Sequence, residues 1–124
     1  MTDHDHNILI VEDDLAIRDA LVQILEDEGY AVTGVANGLE AIAHLRKRSV
    51  PPCLILLDLM MPVMNGWQFR AEQRQDPTLA PIPVVVISAD GSVQQKAASI
   101  DAVGYLRKPI MLDTLLDTIE QYCS

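Results

Sequence analysis

Five polar side chains stand where short apolar runs give out: Glu12 and Asp13 after residues 8–11, Asp58 after 53–57, Ser88 after 84–87 and Lys108 after 103–107. Carboxylates, a hydroxyl and an amine together are the equipment for handling a phosphoryl group. Three carboxylates held within a few ångströms repel one another and stay ionised at neutral pH only if a cation sits among them. Mg²⁺ is the natural occupant, a hard ion that takes one or two carboxylates and keeps positions for water and phosphoryl oxygens. The amine would neutralise the transferred group, the hydroxyl would bond one of its oxygens, and a carboxylate would be the nucleophile. Asp58 is the hardest to read as incidental, because a lone carboxylate ending the run 54–57 is costly unless solvated or paired. Taken singly the others have plain readings: Glu12 and Asp13 as loop charges, Asp14 as a helix cap, Ser88 as a strand-end hydroxyl, Lys108 as a surface amine. Their occurrence together at successive strand ends singles the set out.

For these groups to meet they must project from one end of a shared sheet. Residues 8–11, 53–57 and 84–87 are unbroken aliphatic runs, as expected for strands buried on both faces of a parallel sheet. Weaker strand candidates lie at 30–35 and 103–107. Between them the helical period returns. Ile17, Ala20, Leu21, Ile24 and Leu25 share a face, with Asp14 placed to cap the start and Gly29 to end it. Residues 37–49 carry Glu40 three positions after Asn37 and finish on Arg46, Lys47 and Arg48 against the helix dipole. Asn65 and Gln68 open a third helix that stops before Pro77, 92–100 is a short fourth, and Leu112, Leu115, Leu116, Ile119 and Tyr122 stripe the last. Five β-α units predict an α/β fold: a single doubly wound five-stranded parallel sheet with five helices, for which 2-1-3-4-5 is the common order. In that order the first and third strands are neighbours, so Glu12, Asp13 and Asp58 converge where such sheets bind ligands, outside the carboxyl ends of the strands.

The 124 residues suffice for one domain, 1–124, with 1–6 as a polar lead-in. With 18 acidic against 9 basic residues the net charge is −9, which repels a nucleic-acid backbone and argues against direct DNA binding. No apolar stretch approaches the roughly 18 residues of a membrane span, and the polar, acidic start is unlike a signal peptide. The expectation is a cytoplasmic protein without membrane attachment. Cys53 and Cys123 follow neither a C-x-x-C spacing nor the dense pattern of a secreted scaffold, and read as reduced structural residues. His4 and His6 lack the further ligands a metal site needs, and Trp67 and Phe69 offer too little aromatic surface to stack bases.

Four segments in this order and spacing resemble the receiver domain of a two-component response regulator: Ile8-Leu9-Ile10-Val11-Glu12-Asp13-Asp14, then Leu57-Asp58-Leu59-Met60-Met61-Pro62-Val63-Met64-Asn65-Gly66, then Val86-Ile87-Ser88-Ala89, and Gly104-Tyr105-Leu106-Arg107-Lys108-Pro109. The resemblance covers essentially the whole chain and is to the stand-alone, chemotaxis-type members with a flavodoxin-like fold. It implies that Asp58 accepts a phosphoryl group from a phosphohistidine of a sensor histidine kinase or a histidine phosphotransfer protein. Asp13 and Asp58 would bind Mg²⁺ directly, with the Met60 backbone carbonyl as a third ligand and Glu12 acting through water. Lys108 would pair with the phosphoryl group, Ser88 would swing toward it, and Tyr105 would turn inward into the space Ser88 leaves. Ala89 and Pro109 support the site, with a cis Lys108-Pro109 peptide, while Pro62 and Gly66 shape the loop after Asp58. Met60 and Asp90 hold positions that tune loss of the phosphoryl group. The output surface would be the fourth helix, last strand and last helix, read by a downstream protein. Such a chain is not an enzyme in the usual sense, promoting only its own phosphorylation and dephosphorylation. Two other functions compete. An aspartyl-phosphate phosphatase typically carries an acid two residues after its nucleophile, where this chain has Met60. A receiver-like binding module that is never phosphorylated would have no need of the complete residue set.

Overall fold

The aliphatic runs become the inner strands of a parallel sheet. A computed structural model describes residues 7–48, 50–61 and 63–123; the lead-in 1–6 with His4 and His6, and Pro62, lie outside them. The strands are β1 (Asn7–Val11), β2 (Ala31–Val35), β3 (Leu54–Asp58), β4 (Val84–Ser88) and β5 (Gly104–Arg107). Their spatial order is β2-β1-β3-β4-β5 and every pairing is parallel, as the β-α pattern predicts. All five residues of β1, β3 and β4 are buried, whereas the edge strands β2 and β5 are partly exposed. That difference is why the edge strands carry the weaker sequence signal.

Five helices cover the sheet: α1 (Leu15–Asp27), α2 (Gly38–Lys47), α3 (Gly66–Gln75), α4 (Val93–Ser99) and α5 (Leu112–Cys123). Asp14 caps α1 by accepting the Ile17 N–H at 3.0 Å, and Gly29 beyond its end takes a left-handed φ of 96°. Asn37 caps α2 by accepting the Glu40 N–H at 2.9 Å, but the Glu40 carboxylate accepts from Ala36 N–H, one residue before the cap. Asn65 and Gln68 make the reciprocal capping box of α3.

Because strand side chains alternate between faces, the core has two layers. Leu9, Val11, Ile55, Leu57, Val84 and Val86 pack with Ile42, Phe69 and Ala97 of α2, α3 and α4. Ile8, Ile10, Leu54, Leu56, Val85 and Ile87 pack with Leu21 and Leu25 of α1 and Leu115 and Ile119 of α5. The sheet is therefore doubly wound. No helix among the described residues is long and apolar enough to cross a membrane.

The reading of Cys53 and Cys123 as reduced residues needs correction. Cys53 lies just before β3 and Cys123 ends α5; their Cα atoms are 5.4 Å apart and their sulfurs are bonded. The physical reason is topological: α5 returns across the sheet, so its last turn lands over the start of a strand 70 residues earlier in sequence. Spacing along the chain carries no trace of that meeting.

Candidate functional site

The register of the sheet assembles the polar groups. β1 and β3 pair so that Val11 faces Leu57, which sets Glu12 beside Asp58, the last residue of β3. Asp58 faces Ile87 on β4, and Ser88 faces Arg107 on β5, so Ser88 and Lys108 emerge on the same rim. One carboxylate oxygen from each of Glu12, Asp13 and Asp58 lies within 4.8 Å of the others. Glu12 and Asp58 are buried and Asp13 is exposed, which leaves the cluster open to solvent on Asp13's side.

Lys108 bridges the acids from the opposite side: its Nζ is 2.6 Å from Glu12 Oε1 and 3.7 Å from Asp58 Oδ2. Glu12 Oε2 accepts the Asp14 N–H at 3.1 Å, and Asp58 Oδ1 accepts the Met60 N–H at 3.1 Å. Burial, then the hydrogen bond and the charge of Glu12, push the Asp58 carboxyl up to about 7 against the opposing pull of Met60 N–H and Lys108. Burial works to lower Lys108, but its contact with Glu12 and the charges of Asp58, Glu12 and Asp13 outweigh that and raise it. Glu12 Oε1 is buried, and its partner is the ion pair with Lys108. Three carboxylate oxygens within 4.8 Å of one another make an all-oxygen donor set that fits Mg²⁺.

Around the acids, Ser88 Oγ accepts the Asp90 N–H at 3.1 Å. The Asp90 carboxylate is itself engaged by Lys96 and by the Ser92 N–H and hydroxyl, which hold it well below the usual carboxylate range. The Lys108-Pro109 peptide is cis. Ala89, Lys108 and Pro109 line an apolar cleft of about 500 Å³ that Ile17, Ala20 and Ile24 of α1 complete. Tyr105 is the predicted residue that stands apart. It lies opposite Val86, two residues short of Ser88 along the sheet, with 43% of its surface exposed.

One contributor was not foreseen. Arg18 Nη1 donates to the backbone carbonyl of Glu12 at 2.9 Å, while the Glu12 N–H donates to Val35 O at 3.0 Å, so the loop bearing the acids is held from both sides. Arg18 lies across Gly34, where a Cβ would come 2.9 Å from its Cγ. An arginine one turn into a helix gives no sequence signal of that reach.

Residues 8–120 match the family described as the response regulator receiver domain. The chain is 32% identical over 116 residues to the probable transcriptional regulator ycf29 of Pyropia yezoensis, covering 92% of this chain and 51% of that protein. It is 33% identical over 119 residues to an uncharacterized 14.6 kDa protein in the sodA1 3′ region of Leptolyngbya boryana, covering 94% and 89%. The crystal structure of the Vibrio cholerae chemotaxis protein CheY4 superposes with a TM-score of 0.84 at 30% identity, over 94% of this chain and 98% of that one. The chain spans about half the length of the curated relatives it matches first.

Proposed function

The chain belongs to the response regulator receiver domain family, and on that premise we propose that it is a phosphorylation switch whose acceptor is Asp58. The observation that carries the reading is the meeting of the Glu12, Asp13 and Asp58 carboxylates within 4.8 Å, beside the Lys108 amine. An Asp58 carboxylate oxygen attacks the phosphorus of a phosphohistidine. The P–N bond breaks and the imidazole nitrogen keeps the electron pair. Glu12, Asp13, Asp58 and the Met60 carbonyl would hold Mg²⁺, which supplies neutralising charge to the phosphoryl oxygens. Lys108 exchanges part of its contact with Glu12 for the new phosphoryl oxygens. Ser88 gives up the Asp90 N–H and turns its hydroxyl to another oxygen, and Tyr105 moves from solvent into the space left behind. The two arrangements differ in their contacts with the phosphoryl group, which is what allows it to shift their populations.

The donor is a sensor histidine kinase or histidine phosphotransfer protein, and the cleft between α1 and Pro109 suits an apolar helix face that brings the phosphohistidine to Asp58. Output passes to a downstream protein through α4, β5 and α5. The net charge of −9 supports a route without direct DNA contact. We place the chain in the cytoplasm, with no enzymatic activity beyond promoting its own phosphorylation and dephosphorylation. Incubation with Mg²⁺ and an acyl phosphate should add a single phosphoryl group by intact mass, absent from Asp58→Asn and from samples with excess chelator. Continued labelling of Asp58→Asn would overturn the assignment.

A further inference from the structure

The sheet has reactive side chains at its other end as well. Cys53 precedes β3, whose last residue is Asp58, and Cys123 closes α5, which begins shortly after Lys108. The twelve residues of α5 span about 18 Å. The sulfur bond therefore ties the far end of this helix to the far end of the strand that carries the acceptor. Polar links at that end include Tyr122 Oη on Val103 O at 3.4 Å and the charge of Glu120 on Tyr30, Thr118 bonds within the helix, and no ion pair among the described residues involves α5.

We propose that Cys53 and Cys123 form a reversible thiol–disulfide site that clamps the last turn of α5 when closed and releases it when open. With the bond closed the Cα atoms are 5.4 Å apart, and Cys53 Sγ lies 3.3 Å from Asn7 O, a carbonyl that would accept from the thiol if the pair opened. Access favours one order of events, because Cys53 is half-buried while Cys123 is only 2% exposed. The Cys53 thiolate attacks a small disulfide of the glutathione class, forming a mixed disulfide and expelling one thiolate. The Cys123 thiolate then attacks Cys53 Sγ and expels the second. Two protein thiols become one disulfide, one small disulfide becomes two thiols, and the two protons pass to the expelled thiolates. The choice of a reversible over a permanent bond rests on the cytoplasmic reading above, since disulfides there are transient and redox-sensing.

The test uses the whole chain, equilibrated in mixtures of reduced and oxidised glutathione, quenched by alkylation and weighed intact. Two alkylatable thiols should give way to none as the mixture becomes oxidising, without dimers on a non-reducing gel. Amide hydrogen exchange in the last turn of α5 should quicken roughly tenfold on reduction, as expected when a local tether is lost. Cys53→Ser and Cys123→Ser should match the reduced chain. Asp58→Asn should behave as the native chain does, so failure of the phosphorylation reading would leave this result standing. Two thiols alkylatable in every mixture, cross-links between chains, or α5 exchange that ignores redox state would each overturn the proposal.

Discussion

The two ends of β3 handle polar chemistry in opposite ways. At the carboxyl end Asp58 is buried beside Glu12, its proton held up to about 7, and a Glu12 oxygen is ion-paired with Lys108. At the other end the backbone is paired, with Cys53 N–H on Asn7 O and Ile55 N–H on Pro83 O, each at 2.9 Å, and the side-chain contact is covalent. Between them run residues with no exposed surface. The contrast teaches where, among the described residues, this fold crowds buried acid: on the rim where Glu12 and Asp58 meet beside Lys108. The opposite end and the aliphatic middle offset that cost.

Three measurements can break or sharpen the contrast. The largest effect belongs to the sulfur end. Closing a 70-residue loop restricts the unfolded chain, so reduction should lower unfolding stability in urea by about 4 kcal/mol; an unchanged midpoint would mean that this end does not stabilise the fold as described. The acid end should respond to pH with the opposite sign to an ordinary ion-paired carboxylate. Asp58 binds its proton more tightly folded than unfolded, so the metal-free protein should lose stability as pH rises from the usual value of 3.8 to about 7, then level off. Thermal melts should drop by a few degrees across that window, recover when Mg²⁺ is added at pH 8, and lose that drop in Asp58→Asn, which keeps only the opposite contribution of His44, lowered by burial and by Arg48 and Lys47. A melt that rises over the same window would contradict the crowding of Asp58 by Glu12. The smallest effect is expected at Tyr105, whose exposure leaves little packing to lose. Tyr105→Ala should change stability by no more than about 0.5 kcal/mol and leave Asp58 phosphorylation intact while weakening phosphorylation-dependent partner binding, measured by titration calorimetry.

The same contrast separates what could be read in the sequence from what could not. Strands buried on both faces announce themselves as unbroken aliphatic runs, so β1, β3 and β4 were legible, and with them the rim on which Glu12, Asp13, Asp58, Ser88 and Lys108 meet. The caps Asp14, Asn37 and Asn65 were legible because capping is local chemistry. The Cys53–Cys123 bond and the reach of Arg18 to Glu12 O were not, since each depends on how elements pack after they form. The engagement of Asp90 by Lys96 was hidden for the same reason: its partner lies six residues on and is delivered by the start of α4.

The lodging of Arg18 against Gly34 gives β2 an influence out of proportion to its chemistry. This edge strand contributes no group to the acid cluster, yet a methyl added at Gly34 would come 2.9 Å from Arg18 Cγ, so the arginine stem that carries the guanidinium to the Glu12 carbonyl would have to shift. The placement of the Glu12 carbonyl thus leans on a residue whose contribution is the absence of a side chain.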